Sequence, residues 1–133
     1  MIEHETQFNV RYAETDQMRF VHHSNYIIWF EMGRLGLMEG LGFSYVKLEE
    51  EGYLLPVIEV KAHYYKPARF GDTLTLKTVI SKKPAAKLQF EYQVFTQDGT
   101  ALCTGYSLHS FMNKQDRAIK PPRPFLKKLQ EYF

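Results

Sequence analysis

The stretch TDQMRFVHHSN, residues 15–25, holds one carboxylate, two adjacent imidazoles and two residues that often begin helices. Ser24 and Asn25 are common N-cap residues, and the first N–H groups of a helix have no partner within it. The helix dipole favours negative charge at the same end. A compact loop could bring the Asp16 carboxylate to these donors. A carboxylate beside aimed N–H groups suits acyl transfer, with the acid as nucleophile or as the base that activates water.

Simpler interpretations of the same residues stay open. An aspartate in a loop is commonly a turn former or a helix cap. Adjacent histidines rarely bind one metal ion, and no H-x-x-x-H pattern or cysteine partner accompanies His22 and His23, so we predict no metal site. Glu31 and Arg34 lie three residues apart on the expected helix, and we predict a surface ion pair between them.

The elements that position this loop are predicted from periodicity. We expect a strand over 6–12, a loop over 13–23, a helix over 24–40, a short helix over 44–51, strands over 56–65, 73–81, 86–96 and 100–112, and an amphipathic tail. The Asp98-Gly99 pair predicts a hairpin between the last two strands. Consecutive strands with short turns pair antiparallel, so the predicted fold class is α+β, with one antiparallel sheet against one long helix.

The long helix has two distinct faces. One is apolar: Ile28, Met32 and Leu35. The second face carries Trp29 followed by three glycines: Gly33, Gly36 and Gly40. Each glycine should destabilise the helix by roughly 1 kcal/mol relative to alanine. Close approach of another backbone or of a ligand would explain them, and a fraying helix end is the alternative. The last strand has a small face, so we expect the helix and this strand to pack closely: Ala101, Cys103, Gly105 and Ser107.

Composition limits the function classes. A length of 133 residues fits one domain, residues 1–133. The net charge is +2 and the basic residues are scattered, so we predict no nucleic-acid partner. Cys103 is the single cysteine, which excludes an internal disulfide. No apolar run is long enough to span a membrane, and the polar N-terminus lacks the features of a signal peptide, so we expect a cytoplasmic protein.

The segment RYAETDQMRFVHHSNYIIWFEMGR resembles the opening of hotdog-fold acyl-CoA thioesterases of the hydroxybenzoyl-CoA thioesterase type. The resemblance rests on residues that follow the family's order and spacing: Thr15-Asp16, His23, Asn25-Tyr26, Trp29-Phe30, Glu31 and Arg34. The segments YYKPARFGDTLTLKT and GYSLHSFMNKQDRAIKPP resemble the family's middle strands and its proline-rich close. The resemblance thus covers nearly the whole chain.

This resemblance implies a hotdog fold, a curved antiparallel sheet wrapped around one long helix. It also implies a homodimer or homotetramer with sheets joined edge to edge and active sites at subunit interfaces. The implied activity is hydrolysis of acyl-CoA thioesters without a cofactor. Asp16 takes the position of the catalytic carboxylate, and the backbone N–H of His23 takes that of the oxyanion donor. The His23 side chain would orient water or the thioester.

Four further residues are predicted to bind the substrate, and three of them lie outside the segment 15–31. Tyr26 belongs to an aromatic group that lines either an apolar pocket or the core. Arg69, Lys82 and Lys83 are the predicted cations for the CoA phosphates, with a solvated turn as the alternative for the lysines. Arg19 departs from the family pattern, because many members have glycine there.

Other functions remain candidates on the same fold. Some hotdog enzymes place their carboxylate on the helix, which makes Glu31 a competitor of Asp16. A non-catalytic acyl-CoA or acyl-carrier binding module is the second function class. Hydratases and dehydratases resemble a different signature, with histidine five positions after aspartate, whereas Val21 stands there in this chain.

Overall fold

The computed structural model describes residues 1–133 and contains five strands, three α-helices and one 3-10 helix. In chain order these are β1 (Ile2–Asn9), the 3-10 helix (Tyr12–Glu14), α1 (Ser24–Gly40), α2 (Tyr45–Glu50), β2 (Val57–Tyr64), β3 (Thr73–Ile80), β4 (Lys87–Thr96), β5 (Ala101–Ser110) and α3 (Arg123–Gln130). None of the helices is long and apolar enough to cross a membrane.

The five strands form one sheet in the order β1-β3-β4-β5-β2, and every neighbouring pair is antiparallel. Helix α1 packs on one face of this sheet, mainly against β1 and β3. The predicted α+β hotdog arrangement is therefore confirmed, with the bounds of α1 as expected. The Asp98-Gly99 turn is confirmed too, because Gly99 has a φ of +87° and the Thr96 N–H donates to the Thr100 carbonyl at 2.9 Å.

The first strand was predicted too late in the chain. Strand β1 begins at Ile2, which pairs with Ile80, and it ends at Asn9, before the 3-10 helix that contains Tyr12. Its helix-facing side carries polar residues at His4 and Thr6, whose side chains share a hydrogen bond of 3.0 Å. The alternation of apolar and polar types that marks a half-buried strand is therefore hidden at this end.

The glycine face of α1 lies against the sheet, and the apolar face does not. A Cβ at Gly33 would overlap Thr78 Oγ1 and lie 2.8 Å from Leu76 Cδ2, and one at Gly36 would lie 2.6 Å from His4 Nε2. Gly40, at the helix end, has open space. The apolar face marked by Ile28 is therefore not the core face at that position, because Ile28 is 56% exposed.

The small face of β5 meets a large side chain, not the helix glycines. A Cβ at Gly105 would lie 2.7 Å from Phe30 Cε2, and the Phe30 ring stacks on Tyr92 at 4.3 Å between centroids. The helix glycines therefore do not pack closely against β5 as expected, because the Phe30 ring of α1 occupies the space beside Gly105. The glycines of α1 instead allow close approach to β1 and β3.

The predicted ion pair between Glu31 and Arg34 is wrong. Arg34 is buried on the sheet side of α1, whereas Glu31 is exposed, and no ion pair joins them. The Arg34 guanidinium instead lies close enough to the hydroxyls of Tyr45 and Tyr92 to lower the pKa of each. Burial raises the pKa of Tyr45 to about 12, and the nearby guanidinium opposes that rise.

Strand β2 is the outer strand next to β5, and it is unusually exposed. Apolar side chains along it are 43–51% exposed: Val57, Ile58, Val60 and Tyr64. Ala62 is the one half-buried residue of this strand, and the other seven are exposed. An exposed edge strand with this composition is a ready template for pairing with another chain.

Candidate active site

The loop that carries Asp16 is a tight hairpin. The Asp16 N–H donates to the Phe20 carbonyl at 2.8 Å, and the Arg19 N–H donates to the Asp16 carbonyl at 3.0 Å. Thr15 and Val21 form a bridge across its base. Arg19 has a φ of +69°, as the residue after the turn does in a three-residue hairpin loop with a bulge. Glycine adopts a positive φ with the least strain, so the arginine found where many members of the family have glycine occupies a strained backbone position.

The Asp16 carboxylate has one oxygen engaged in this turn. Oδ1 accepts hydrogen bonds from the N–H groups of Met18, at 2.9 Å, and Phe20, at 3.3 Å. The interpretation of Asp16 as a turn former is therefore correct for this oxygen. The second oxygen, Oδ2, makes no hydrogen bond within the chain.

Helix α1 begins at Ser24, but not through the expected cap. Ser24 is already helical, and its Oγ hydrogen bonds with His22 Nδ1 at 2.8 Å. The Asn25 side chain donates from Nδ2 to the Glu14 carbonyl at 3.0 Å. No side chain caps the helix. The N–H of His23, the residue before the helix, has no hydrogen-bond acceptor within the chain.

An open pocket of about 340 Å³ lies between this loop, the start of α1 and the end of β2. It is lined mainly by aromatic and apolar groups, with one acid, one imidazole and one cation: Asp16, Met18, Phe20, Val21, His23, Tyr26, Tyr64, Tyr65, Lys66 and Pro67. The structure thus brings together three of the predicted site residues, Asp16, His23 and Tyr26.

Tyr26 forms the buried wall of this pocket. Only 3% of the residue is exposed, and its ring packs edge-on against Tyr64 and Trp29 at 5.1 and 4.7 Å. Its hydroxyl accepts a hydrogen bond from the Ala68 N–H at 3.3 Å. Burial raises the pKa of Tyr26 to about 12. Tyr26 therefore offers the pocket a ring face, since its hydroxyl is already engaged.

The three predicted cations lie outside the pocket. Arg69 lines a neighbouring groove that shares Lys66 and Pro67 with the pocket, and its guanidinium sits 4.8 Å from the Phe20 ring centroid. Lys82 lines a groove of about 580 Å³ on the sheet face away from α1, together with Lys61 and His63. Tyr65 lines both this groove and the pocket. Lys83 is exposed in the same turn, outside the groove lining.

Sequence reasoning missed two groups of residues. Tyr64 and Tyr65 line the pocket from the end of β2, and the adjacent aromatics before Lys66-Pro67 were the available signal. Glu14 is a second acid in the loop before the helix, one residue before the stretch 15–25 that pointed to Asp16. The Glu14 carboxylate is buried and accepts from Trp29 Nε1 at 2.7 Å, and Glu14 is not among the residues that line the pocket.

The rings of His22 and His23 pack against each other with centroids 4.2 Å apart and a tilt of 30°. They do not join other histidine, cysteine, aspartate or glutamate side chains in a group of three or more suited to a metal ion. His23 of this pair lines the pocket, and His22 lies beside Ser24.

Comparison with known proteins agrees with this geometry. A profile of the thioesterase-like superfamily matches residues 10–130. The Bacillus subtilis protein YneP, whose name attributes acyl-CoA thioesterase activity to it, is 37% identical over 115 residues, which are 86% of this chain and 82% of YneP.

Two solved structures share the fold closely. The DHNA-CoA thioesterase of Staphylococcus aureus superimposes with a TM-score of 0.92 at 29% identity, covering 99% of this chain and 91% of that one. The hypothetical protein TT1821 of Thermus thermophilus gives a TM-score of 0.91 at 33% identity, covering 97% and 98%. The chain belongs to the thioesterase-like superfamily. The prediction of a thioester-hydrolysing enzyme is thereby confirmed.

Proposed function

We propose that this chain hydrolyses acyl-CoA thioesters to the free acid and CoA, with Asp16 as the reactive carboxylate and the His23 N–H as the oxyanion donor. One observation carries the proposal. Asp16 and His23 line the same pocket, and each keeps one suitable group unused by the fold: Oδ2 of Asp16 and the N–H of His23. Asp16 is half-buried and His23 is exposed, so a substrate or water in the pocket can reach both groups.

The chemistry follows from these two groups. With Asp16 as general base, its carboxylate takes a proton from water while the water oxygen bonds to the thioester carbon. The negative charge that develops on the carbonyl oxygen is held by the His23 N–H and by the positive end of the α1 dipole. The intermediate then collapses, the C–S bond breaks, and CoA leaves as a thiolate that takes up a proton.

The nucleophilic alternative uses the same residues. The Asp16 carboxylate then attacks the thioester carbon itself, CoA leaves with the sulfur, and water cleaves the resulting mixed anhydride. Other nucleophiles are poorly placed. Cys103 is buried, and burial raises the pKa of its thiol to about 12. The Ser24 hydroxyl hydrogen bonds with His22.

The nucleotide end of CoA needs cations, and the structure offers two routes to them. One route leaves the pocket past Tyr65 and reaches Lys61, His63 and Lys82 on the outer sheet face. The other passes Lys66 and reaches Arg69. The first route is favoured because its groove holds two lysines and a histidine against one acid, Glu91. The Arg69 guanidinium already lies over the Phe20 ring and shares its groove with two acids, Asp72 and Asp98.

The pocket walls favour a compact aromatic acyl group. Four phenyl or phenol rings line the pocket of about 340 Å³: Phe20, Tyr26, Tyr64 and Tyr65. The hydroxyls of the three tyrosines already make hydrogen bonds within the chain. Ring faces stack well on a flat aromatic group. The similarity to the S. aureus enzyme named for an aromatic acyl-CoA points the same way.

The chain is also proposed to act as a homodimer joined along β2. The exposed apolar residues of this edge strand need a cover, and pairing with a second β2 would extend the sheet. Tyr64 and Tyr65, at the end of β2 and just after it, line the pocket, so this pairing would place the pocket beside the partner subunit.

A thioester panel tests the function directly. Benzoyl-CoA, butyryl-CoA and palmitoyl-CoA are incubated with the protein, and release of the free CoA thiol is followed. Turnover is expected with benzoyl-CoA as the best of the three. A protein that binds these thioesters without turning any of them over would instead be the binding module that remains the second candidate.

A further inference from the structure

Glu14 is the buried carboxylate nearest in sequence to the pocket, and the reaction described above does not use it. Only 5% of the residue is exposed. Its Oε1 accepts the Arg11 N–H at 2.8 Å, and its Oε2 accepts Trp29 Nε1 at 2.7 Å. The Arg11 guanidinium lies 3.5 Å from Oε2 at the surface. Both oxygens are therefore bound to donors from separate parts of the chain.

The charge of Glu14 is supported by these donors. Burial raises its pKa, but the hydrogen bonds from the Arg11 N–H and the Trp29 indole, with the Arg11 charge, outweigh it, so the pKa lies below the ordinary value. An amide could not replace the carboxylate here, because glutamine offers one acceptor oxygen and a donating NH₂ group. One of the two N–H donors would then face another donor.

The backbone of the same residue holds the loop from the other side. The Glu14 carbonyl accepts the His22 N–H at 2.8 Å and Asn25 Nδ2 at 3.0 Å. Glu14 thus joins the segment after β1, the helix and both ends of the hairpin that carries Asp16, which is only two residues away. Its carboxylate ties this unit to Trp29, in the second turn of α1.

We propose that Glu14 is a positioning residue: its bond to Trp29 sets the Asp16 hairpin relative to the His23 N–H at the start of α1. The inference rests on the proposed function of Asp16 and His23. A small misplacement of reacting groups is costly, since about 1 Å can reduce a rate by roughly 10²-fold.

Glu14→Gln is the main test, and Trp29→Phe is the second variant. Trp29→Phe keeps a ring in the core and removes the indole donor, so it tests the same bond if Glu14→Gln folds poorly. We expect each to lower kcat by roughly 10- to 100-fold while KM changes by less than about threefold. In the double variant the loss should be smaller than the product of the single losses, because both remove one contact.

Two readouts separate positioning from loss of fold. Trp29 is the only tryptophan, so its fluorescence in Glu14→Gln reports whether the indole has lost its acceptor. Amide hydrogen exchange should accelerate at Asp16, Phe20 and His22, with the strand amides unchanged. Ser107→Ala is the matched control, because it removes a buried side chain that hydrogen bonds Tyr92 and His109 far from the loop.

The proposal is overturned if Glu14→Gln keeps kcat within twofold of the wild type, or if Ser107→Ala of equal stability loses as much kcat. Unchanged exchange of the loop amides in both Glu14→Gln and Trp29→Phe overturns it as well. If the wild type turns over no thioester, the proposed function fails, and loop exchange alone then decides whether Glu14 holds the hairpin.

Discussion

The Tyr64 hydroxyl donates a 3.0 Å hydrogen bond to the carbonyl oxygen of His23, and so joins the edge strand β2 to the start of α1. The Tyr64 ring also packs edge-on against Tyr26 at 5.1 Å. The same strand carries the exposed apolar residues proposed to pair with a second subunit. The proposed assembly would therefore be coupled to the pocket through Tyr64, and a change that separates the subunits should also disturb the site.

Val60→Lys in the middle of β2 tests this coupling. Val60 is 43% exposed, so the isolated chain should still fold, but a charged side chain in the middle of β2 would oppose pairing with a second β2. We expect sedimentation to show a dimer or larger assembly for the wild type and a monomer for the variant, with lower kcat. Val46→Lys on α2, at a position 67% exposed, is the control and should leave assembly unchanged. A monomeric wild type at micromolar concentration would contradict the proposed dimer.

Alanine substitutions at two glycines of α1 should differ in their effect on the free energy of unfolding. At Gly33 a Cβ would overlap Thr78 Oγ1, so Gly33→Ala should cost about 1–3 kcal/mol of unfolding free energy through overpacking. At Gly40 the space is open, and Gly40→Ala should be neutral or stabilise by up to about 1 kcal/mol through helix propensity. Urea unfolding measures both, and equal effects at the two positions would contradict the packing described for α1.

Local sequence patterns were sufficient to predict helix α1 and the β4–β5 hairpin. They also identified three residues that line the pocket, Asp16, His23 and Tyr26, which lie within one short segment. They failed where the deciding contacts join residues far apart in the chain. Gly33 lies on the core face only because β3 approaches it, and Tyr64 meets His23 from 41 positions away. Glu14 was overlooked because its indole partner is a turn and a half into the helix, and a sequence pattern does not show that bond.

Separate substitutions of three cations decide between the two routes for CoA. Lys82→Ala should raise KM for acyl-CoA with kcat nearly unchanged, as loss of uniform binding does, and should weaken the dependence of KM on salt. Lys83→Ala, the exposed neighbour outside the groove lining, should do less. A larger rise in KM for Arg69→Ala than for Lys82→Ala would favour the route past Lys66 instead.

Arg19→Gly should relieve backbone strain in the hairpin. A residue other than glycine at a φ of +69° costs roughly 1–2 kcal/mol, partly offset because glycine gains entropy in the unfolded chain. We expect thermal unfolding to show unchanged stability or a gain of up to about 1 kcal/mol. Gln17→Gly in the same turn, where φ is not positive, is the matched control and should destabilise by about 0.5–1 kcal/mol. A loss at Arg19 as large as that at Gln17 would contradict the assigned loop geometry.

Asp16→Asn is the sharpest test of the site. Asparagine keeps a side-chain oxygen that can accept from the N–H groups of Met18 and Phe20, so the hairpin should persist. It cannot attack the thioester or deprotonate water, and kcat should fall by at least about 10²-fold. The Kd for a non-hydrolysable acyl-CoA analogue should change little, because the pocket keeps its shape.

Glu31→Gln is the control for that experiment. Glu31 is exposed on α1 and lines a shallow groove with Ile28 and Glu39, apart from the pocket that holds Asp16. Single-turnover measurements on both variants separate the chemical step from binding. Near-normal turnover in Asp16→Asn together with loss of turnover in Glu31→Gln would assign the reactive carboxylate to the helix, and the reaction would then have to occur on the other side of α1.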